Sequence, residues 1–388
     1  MTINTETVKG FRDIEGKDAE RRMAIRNIIE TTFKNYGFNY AETPIIENEE
    51  FVRGENSNDE AVSTIFKLKD RGDRPLALRY EFTFQLKRLA QNKKLPYKRF
   101  QLGPVFRDEP TSTNRFRQFT QCDVDVIGSS VKEEAEALNI VNEIFNKLGM
   151  NVTISVNNRK LLNEILNKAG VRVEDKENVI REIDKLDKLS EKEVSSNLKK
   201  YKAEKVLDIF KNKEKDFEKY ESFKEIKALK DACSLYGVDI VFSPFLARGL
   251  SYYNGSIFEI KTKEMKETIS AGGSYLVNGI QSTGISLGLE RLEVIAKLKD
   301  LNENKVLIIS LEQDKKAIAL AEEIRKKNIP CIVMYGKPSK ALEYANSYSI
   351  SKVIFVGEEE VKKKKFKLKD MKSGKEEMLS ESEIINKL

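Results

Sequence analysis

The segment at residues 99–127 constrains this fold most, because it predicts a β-hairpin whose return strand carries a polar face. A first strand at 99–106 and a second at 115–127 flank a loop at 108–114 that is rich in turn residues. Side chains two apart on a strand share a face, so Phe119, Gln121, Asp123 and Asp125 lie together. This face is too polar for a core, and buried polar groups need partners. We therefore expect a ligand with amine, phosphate and ring groups to bind there.

The composition excludes several kinds of chemistry. The 388 residues contain no histidine, so a histidine base, a histidine-ligated metal and a Ser-His-Asp triad are excluded. The three cysteines form no CxxC pair, so neither a zinc site nor a disulfide framework is predicted, and a reducing cytoplasm is expected. The net charge of +7 permits a polyanionic partner without requiring one. The apolar runs are too short to span a membrane, and the N-terminus has no apolar core of a signal peptide. No membrane association is therefore predicted.

Periodicity predicts helices and strands in alternation through the first part of the chain. Helices are predicted at residues 18–36, 81–91 and 132–148, and strands at 38–46, 65–68, 76–80 and 151–156. Met23 belongs to the periodic apolar residues of the first helix. Pro44 lies within a predicted strand and indicates either a subunit contact or an ordinary sheet edge.

Two regions differ from this pattern in composition and in predicted secondary structure. Residues 157 to about 236 are charged and helical, which predicts a helical insertion, and strand patterns return after it. Beyond a polar linker at 298–305, strands alternate with helices, which predicts a small mixed sheet. Its strands are predicted at 305–311, 330–336, 351–360 and 365–371, and its helices at 314–327, 339–347 and 381–388. The lysine-rich run at 362–365 is better explained as a solvated strand edge than as a nucleic-acid patch.

Four separated segments carry polar or arginine residues where an ordinary strand would be apolar. They are LALRYEFT (76–83), FRDEPTSTNRFRQFTQCDVDVIG (106–128), LARGLSYYNG (246–255) and GISLGLERL (284–292). Together they resemble the class II aminoacyl-tRNA synthetases, specifically the histidyl-tRNA synthetase family, over nearly the whole chain. The Pro44 region, FRDE…RFRQFTQ and GLERL resemble the three class II motifs. LARGLSYYNG is similar to a signature confined to the histidyl enzymes and their paralogues, and QCDVD resembles the archaeal and eukaryotic branch.

The resemblance implies an α+β fold. A class II antiparallel sheet flanked by helices would occupy residues 1–300, with the insertion at about 157–236, and an α/β anticodon-binding domain would occupy 301–388. It further implies a cytoplasmic homodimer that attaches histidine to tRNA(His) through a histidyl-adenylate. Its substrates would be histidine, ATP and tRNA, with Mg²⁺ on the phosphate oxygens and no metal ligand from the protein.

The resemblance also implies a role for each matching residue, and the chemistry needs preorganised cations around the reacting phosphate. The catalytic pair would be Arg107 and Arg248, which hold the α-phosphate from two sides. The histidine-binding residues would be Glu81, Thr83, Gln121, Asp125, Arg248, Tyr252, Tyr253 and Tyr275. The ATP-binding residues would be Arg107, Glu109, Arg115, Phe119 and Arg291. Glu81, Thr83 and Gln121 would take the α-ammonium group, and Asp125 and Tyr253 would take the imidazole nitrogens.

The sequence departs from the family pattern in two places. Ser274 and Leu276 stand where the family has the Arg and Asp of Gly-Gly-Arg-Tyr-Asp, and Asn114 replaces a glycine of the second motif. One alternative is therefore a silent paralogue, such as a histidine-sensing regulatory subunit of ATP phosphoribosyltransferase. Another is a tRNA-binding or kinase-regulatory module. Arg115 and Arg117 could also be solvent-facing partners of Asp123 and Asp125.

The absence of histidine also bears on pH dependence. Few groups of the enzyme are expected to titrate between about pH 5 and 8 unless strongly perturbed, whereas a substrate imidazole titrates at about 6.5. We expect the neutral imidazole to bind, because it donates to Asp125 and accepts from the Tyr253 hydroxyl.

Overall fold

The computed structural model describes residues 3–54, 60–187, 189–247, 252–298 and 305–388. They form two compact units, Met1–Leu298 and Lys299–Leu388, each with its own sheet and buried core. No helix in the described ranges is long and apolar enough to cross a membrane.

The first unit begins with a long helix and several short elements. In chain order they are α1 (Gly16–Asn35), β1 (Asn39–Tyr40), β2 (Ile46–Asn48), α2 (Glu49–Arg53), α3 (Glu60–Ser63), β3 (Lys67–Lys69), β4 (Pro75–Leu78) and α4 (Leu86–Leu89). Helix α1 buries Ile25, Ile29 and Phe33. Met23 is 70% exposed, so its predicted burial was wrong: two residues before Ile25, it points to the opposite side of the helix.

The predicted helix at 81–91 is also wrong over its first half, since only Leu86–Leu89 is α-helical there. Carbonyl oxygens at the start of this segment accept instead from two arginines, one within the strand at Tyr97–Phe106 and one directly after it. Arg107 Nε donates to Tyr80 O at 3.2 Å, and Arg99 Nη2 donates to Phe82 O at 3.1 Å. Tertiary contacts therefore override the local propensity.

A long hairpin follows and leads into a capped helix. Its elements are β5 (Tyr97–Phe106), β6 (Gln118–Ile127), α5 (Val131–Lys147) and β7 (Val152–Asn158). The return strand starts three residues later than predicted, because Arg107 N donates to Arg117 O and a bridge between Ser112 and Arg115 closes the loop. Ser130 caps α5 with a capping box.

Helices fill the chain between β7 and the next strand. They are α6 (Arg159–Lys168), α7 (Lys176–Asp184), α8 (Glu191–Leu198), α9 (Val206–Phe210) and α10 (Phe223–Ser234), with 3₁₀ turns between them. The first unit ends with β8 (Val241–Phe242), β9 (Tyr253–Thr262), β10 (Met265–Val277), β11 (Ile280–Gly288) and α11 (Leu289–Ile295).

The main sheet has eight strands in the order β1-β5-β6-β11-β10-β9-β7-β8. Its inner pairs are antiparallel, and only the short outer pairs β1–β5 and β7–β8 are parallel. One face packs on the main core, which contains side chains from α1, α5 and the insertion helices. The predicted α+β class with an antiparallel sheet flanked by helices is confirmed. The other face of the sheet is free to carry a site.

The second unit alternates strands and helices. Its elements are β12 (Val306–Ser310), α12 (Asp314–Arg325), β13 (Cys331–Tyr335), α13 (Pro338–Ser347), β14 (Lys352–Val356), α14 (Glu358–Lys363), β15 (Phe366–Asp370), β16 (Glu376–Leu379) and α15 (Glu381–Lys387). The order β13-β12-β14-β15-β16 joins parallel and antiparallel pairs. Residues 358–360 form the first turn of α14 instead of extending a strand, because Glu360 caps Gly357 N.

Candidate active site

A cavity of about 360 Å³ lies over the polar face of β6. Arg248 lies outside the described residues. All the other residues predicted for the site line this one cavity: Glu81, Thr83, Arg107, Glu109, Arg115, Phe119, Gln121, Asp125, Tyr252, Tyr253, Tyr275 and Arg291. They come from six separate stretches of the chain, so the fold brings together what the sequence keeps apart.

The floor of the cavity is open because β11 carries small residues there. Gly284, Ser286 and Gly288 stand opposite Asp125, Asp123 and Gln121 in the β6–β11 register. A Cβ atom at Gly284 would lie 2.1 Å from Asp125 Oδ1. Only glycine at this position leaves the Asp125 carboxylate in place.

Asp125 is held from two sides at the centre of the floor. The Tyr275 hydroxyl donates to Asp125 Oδ1, and Arg99 Nη2 lies 3.1 Å from Asp125 Oδ2. The Arg99 side chain is 0% exposed. Burial raises the pKa of Asp125, and the Arg99 charge opposes this rise. The fixed carboxylate can accept a hydrogen bond from a ligand N–H group.

Glu81 is a second buried acidic residue of the cavity and lies beside Arg107. Burial raises the pKa of Glu81 to about 7, although the positive charge of Arg107 lowers it. The Tyr252 hydroxyl donates to Glu81 Oε2 at 3.4 Å. The Arg107 guanidinium carbon is 5.1 Å from the centre of the Phe119 ring. This part of the cavity therefore combines a carboxyl group, a fixed cation and an aromatic face.

The loop arginines pair within their own loop. Arg115 Nη2 lies 2.6 Å from Glu109 Oε2, and Arg117 Nη2 lies 2.9 Å from Asp108 Oδ1. The alternative that these arginines pair with the carboxylates of β6 is therefore wrong. At the opposite end, Arg291 Nη1 donates to Thr268 O.

Sequence reasoning gave no role to Asp123 and Ser286, which line the cavity, or to Arg99, which pairs with Asp125. Asp123 shares the face of its strand neighbours, but received no role. Burial and the charge of Asp125 raise the pKa of Asp123 to about 7. Arg99 stands opposite Asp125 in the β5–β6 register, so the available signal was a charged residue inside a predicted strand.

Ser274, which replaces the expected arginine, faces away from the cavity. Its hydroxyl donates to Glu134 Oε1, and Ser256 donates to Glu134 Oε2 at 2.6 Å. Glu134 is buried on α5, and burial raises its pKa. Leu276 is 51% exposed. The departure at Ser274 therefore changes the support behind the sheet and leaves the Tyr275 contact with Asp125 intact.

Comparison with known proteins agrees with this geometry. Residues 10–292 match the family model described as histidyl-tRNA synthetase, and residues 305–388 match the anticodon binding domain. This chain belongs to the histidyl-tRNA synthetase family. Within the family it is 34% identical to histidine–tRNA ligase 2 of Shouchella clausii, over 96% of this chain and 97% of that protein. It is 32% identical to histidine–tRNA ligase 1 of Bacillus cereus over the full length of both.

Solved structures show the same fold. A histidyl-tRNA synthetase from Nostoc covers all of both chains with a TM-score of 0.86 at 24% identity. A protein from Bacillus halodurans, titled ATP phosphoribosyltransferase regulatory subunit/histidyl-tRNA synthetase, covers 89% of this family member and 97% of that chain, with a TM-score of 0.76 at 18% identity. Since these relatives are bacterial, the archaeal and eukaryotic affinity of the QCDVD strand stays a prediction.

Proposed function

We propose that this protein activates histidine with ATP and transfers the histidyl group to tRNA(His). The observation that carries this proposal is the convergence of the predicted histidine and ATP residues on one cavity. Relatives that match along the whole chain are named histidine–tRNA ligases, which supports the same activity. The regulatory-subunit alternative has less support, because the match to an anticodon binding domain is not needed for sensing histidine.

The proposed first step is attack of the histidine carboxylate on the α-phosphorus of ATP, which releases pyrophosphate. Negative charge on the phosphoryl oxygens then needs fixed cations. Arg107 supplies one, because its hydrogen bond to Tyr80 O and its contact with Phe119 hold it at the cavity wall. We assign the second to Arg248. Arg115 and Arg291 bind the outer phosphates.

The proposed recognition of histidine uses both buried acidic residues, Glu81 and Asp125. Glu81, Thr83 and Gln121 accept from the α-ammonium group, and Asp125 accepts an imidazole N–H. The Tyr275 and Arg99 contacts fix the Asp125 carboxylate before the ligand arrives, so little ordering is needed on binding.

The proposed ATP complex includes Mg²⁺ bound through phosphate oxygens, the usual mode for this ion. Among the described residues, no group of three acidic or cysteine side chains could hold a metal. Glu290, which lines the cavity, accepts from Thr120 N at 3.0 Å and pairs with Arg22 at 2.8 Å. An ion bound to the nucleotide in this way would neutralise charge on the phosphate oxygens.

The proposal is tested by charging a tRNA(His) transcript with labelled histidine. We expect ATP-dependent charging of this transcript, and no charging of a matched transcript with another anticodon and acceptor end. Failure to charge tRNA(His) at saturating histidine and ATP would contradict the proposed function. The cytoplasmic location, the site of translation, is part of the same proposal.

We further propose that the enzyme is a homodimer and expect light scattering to give twice the chain mass of 44.5 kDa. Strand β1 is an outer strand of the main sheet, and Tyr40, Ile45 and Ile46 are 41–49% exposed nearby. Apolar groups in such a patch favour a protein contact. Ile45→Glu with Ile46→Glu should weaken the dimer, whereas Leu235→Glu at another exposed apolar residue should not. A monomer at micromolar concentration would contradict the proposal.

The raised pKa values predict a steep acid limb in kcat/KM for histidine. Glu81 and Asp123, each with a pKa of about 7, lose their negative charge as pH falls, and protonated Glu81 attracts the ammonium group less. The expectation that few enzyme groups titrate there excepted strongly perturbed ones, and burial perturbs both carboxyls in this way. Neutral imidazole is also lost below about 6.5, so both changes lower kcat/KM.

Ring-fluorinated histidine separates the two contributions, because its imidazole is far less basic. Its kcat/KM profile should keep a limb near pH 7 from the enzyme and lose the steeper part below it. A profile that is flat from pH 6 to 8 would show that the enzyme carboxyls do not titrate there. A profile identical to that of histidine would contradict binding of the neutral imidazole.

A further inference from the structure

Three buried acceptor atoms on the inner face of β6 have no hydrogen-bond partner in the described structure. They are Gln121 Oε1, Asp123 Oδ1 and Asp125 Oδ2. Most buried polar atoms in folded proteins are hydrogen-bonded, so three on alternate residues of one strand indicate a ligand rich in donors. Since Asp125 Oδ2 already has a guanidinium nitrogen at 3.1 Å, Gln121 and Asp123 are the acceptors that most need a ligand.

Ser286 lies beside both acceptors and orients the Gln121 amide. Gln121 Nε2 donates to Ser286 Oγ at 2.9 Å, which turns the amide oxygen away from the serine. The Ser286 hydroxyl also faces the Asp123 carboxylate and lowers its pKa. Ser286 stands opposite Asp123 in the register, and both line the cavity. Ser286 therefore lies between the two acceptors, bonded to Gln121 and facing Asp123.

The charges around Asp123 favour a cation. The carboxyl groups of Glu81 and Asp125 act on Asp123 and raise its pKa, whereas Arg99 lowers it. Glu81 in turn faces Arg107. Three buried carboxyl groups thus meet two arginines, and a cationic ligand group would offset the remaining negative charge. An ammonium group has three N–H donors and no acceptor, which suits a site made of acceptors.

We propose that Asp123 binds the α-ammonium group of the amino-acid substrate, together with Gln121 and Glu81. This assignment rests on the proposed function and adds a third carboxylate to the histidine site, beside Glu81 and Asp125. The carboxylate of Asp123 accepts one ammonium N–H, and the Gln121 amide oxygen accepts another. Ser286 acts as the positioning residue for both.

Asp123→Asn tests the assignment with histidine and two analogues, each of which differs from histidine in one group. L-histidine and L-histidinol carry the ammonium group, whereas imidazolelactate has a hydroxyl in its place. Dissociation constants come from calorimetry, or from competition in pyrophosphate exchange for the weak ligands. We expect histidine and histidinol to bind about 10-fold to 100-fold more weakly, the scale for a hydrogen bond to a charged group. Imidazolelactate should change by less than about threefold on the same scale.

Glu134→Gln is the matched control, because Glu134 is another buried carboxyl with a raised pKa but lies behind the sheet. It should leave all three dissociation constants nearly unchanged. If Asp123→Asn does not fold, Ser286→Ala, which removes the hydroxyl group beside the Asp123 carboxylate, should show the same ligand pattern to a smaller extent.

Equal weakening of all three ligands, or of none, would overturn the assignment of Asp123. A wild-type protein that binds no histidine would instead overturn the proposed function itself. The two failures are therefore distinguishable in one set of titrations.

Discussion

Replacing Arg107 with alanine is expected to lower kcat of histidine-dependent pyrophosphate exchange by about 10²–10³-fold, the scale for one preorganised transition-state donor. Arg107 borders the cavity, and its position is fixed by the Tyr80 carbonyl and the Phe119 ring. The cation is thus in place before charge develops on the phosphate. Its removal should act mainly on kcat. An interaction made only in the transition state raises kcat, whereas one made equally with the bound substrate lowers KM.

Arg117→Ala is the matched control for this prediction. Arg117 lies at the other end of the same loop, and its guanidinium pairs with Asp108 without lining the cavity. Exchange in this variant should stay within about threefold of wild type, the range of ordinary surface substitutions. A near-normal kcat for Arg107→Ala would remove Arg107 from the mechanism.

Arg248→Ala is expected to give a similar loss of kcat. Arg248 belongs to LARGLSYYNG, the segment most specific to the histidyl enzymes, and the proposed chemistry needs a cation on each side of the α-phosphate. A folded Arg248→Ala variant with near-normal exchange would leave the second cation unassigned.

Deleting residues 305–388 is expected to spare adenylation and to lower kcat/KM for tRNA charging by about 10²-fold or more. The second unit has its own core and carries none of the residues that line the cavity. Its family match is to an anticodon binding domain. Since joining two binding modules raises avidity by about 10²–10⁴-fold, the loss of one should reduce tRNA binding by a comparable factor.

Pyrophosphate exchange is the control for this deletion, because it needs no tRNA. The truncated protein should retain exchange within a few-fold of the full chain and should melt cooperatively. If it charged tRNA(His) as well as the full chain, the anticodon-binding assignment would fail. Loss of exchange together with charging would mean that the two units are not independent in adenylation.

The part of the site that could be predicted depends on local sequence. Phe119, Gln121 and Asp125 share a strand face, and the period of two fixes this without knowledge of the partner strands. Their convergence with Glu81 and Arg291 required the family resemblance. The cavity lining agrees with that grouping, although the individual roles stay proposals.

The parts that could not be predicted depend on tertiary pairing. Arg99 reaches Asp125 only through the β5–β6 register, which the sequence of either strand alone does not reveal. Residues 81–85 have helical propensity, but Arg99 and Arg107 occupy the carbonyl oxygens of Phe82 and Tyr80. In both cases an arginine distant in sequence makes the deciding contact.

The ion pairs of the loop between β5 and β6 also could not be predicted from sequence spacing. Sequence spacing allowed Arg115 and Arg117 to pair across the hairpin with the acidic face. The structure instead pairs them with Glu109 and Asp108. The buried carboxyls keep Arg99 as their neighbouring cation, which leaves acceptors available to a ligand.

Exchange of labelled pyrophosphate into ATP, measured with each of the twenty amino acids in turn, tests the central claim most directly. The cavity residues on β6, β9 and β10 are proposed to recognise the histidine ring and ammonium group and to form the adenylate. We therefore expect exchange with histidine alone, and its loss in Arg107→Ala. Absence of exchange with histidine at saturating ATP and Mg²⁺, or equal exchange with another amino acid, would contradict the assignment of this cavity as a histidine-activating site.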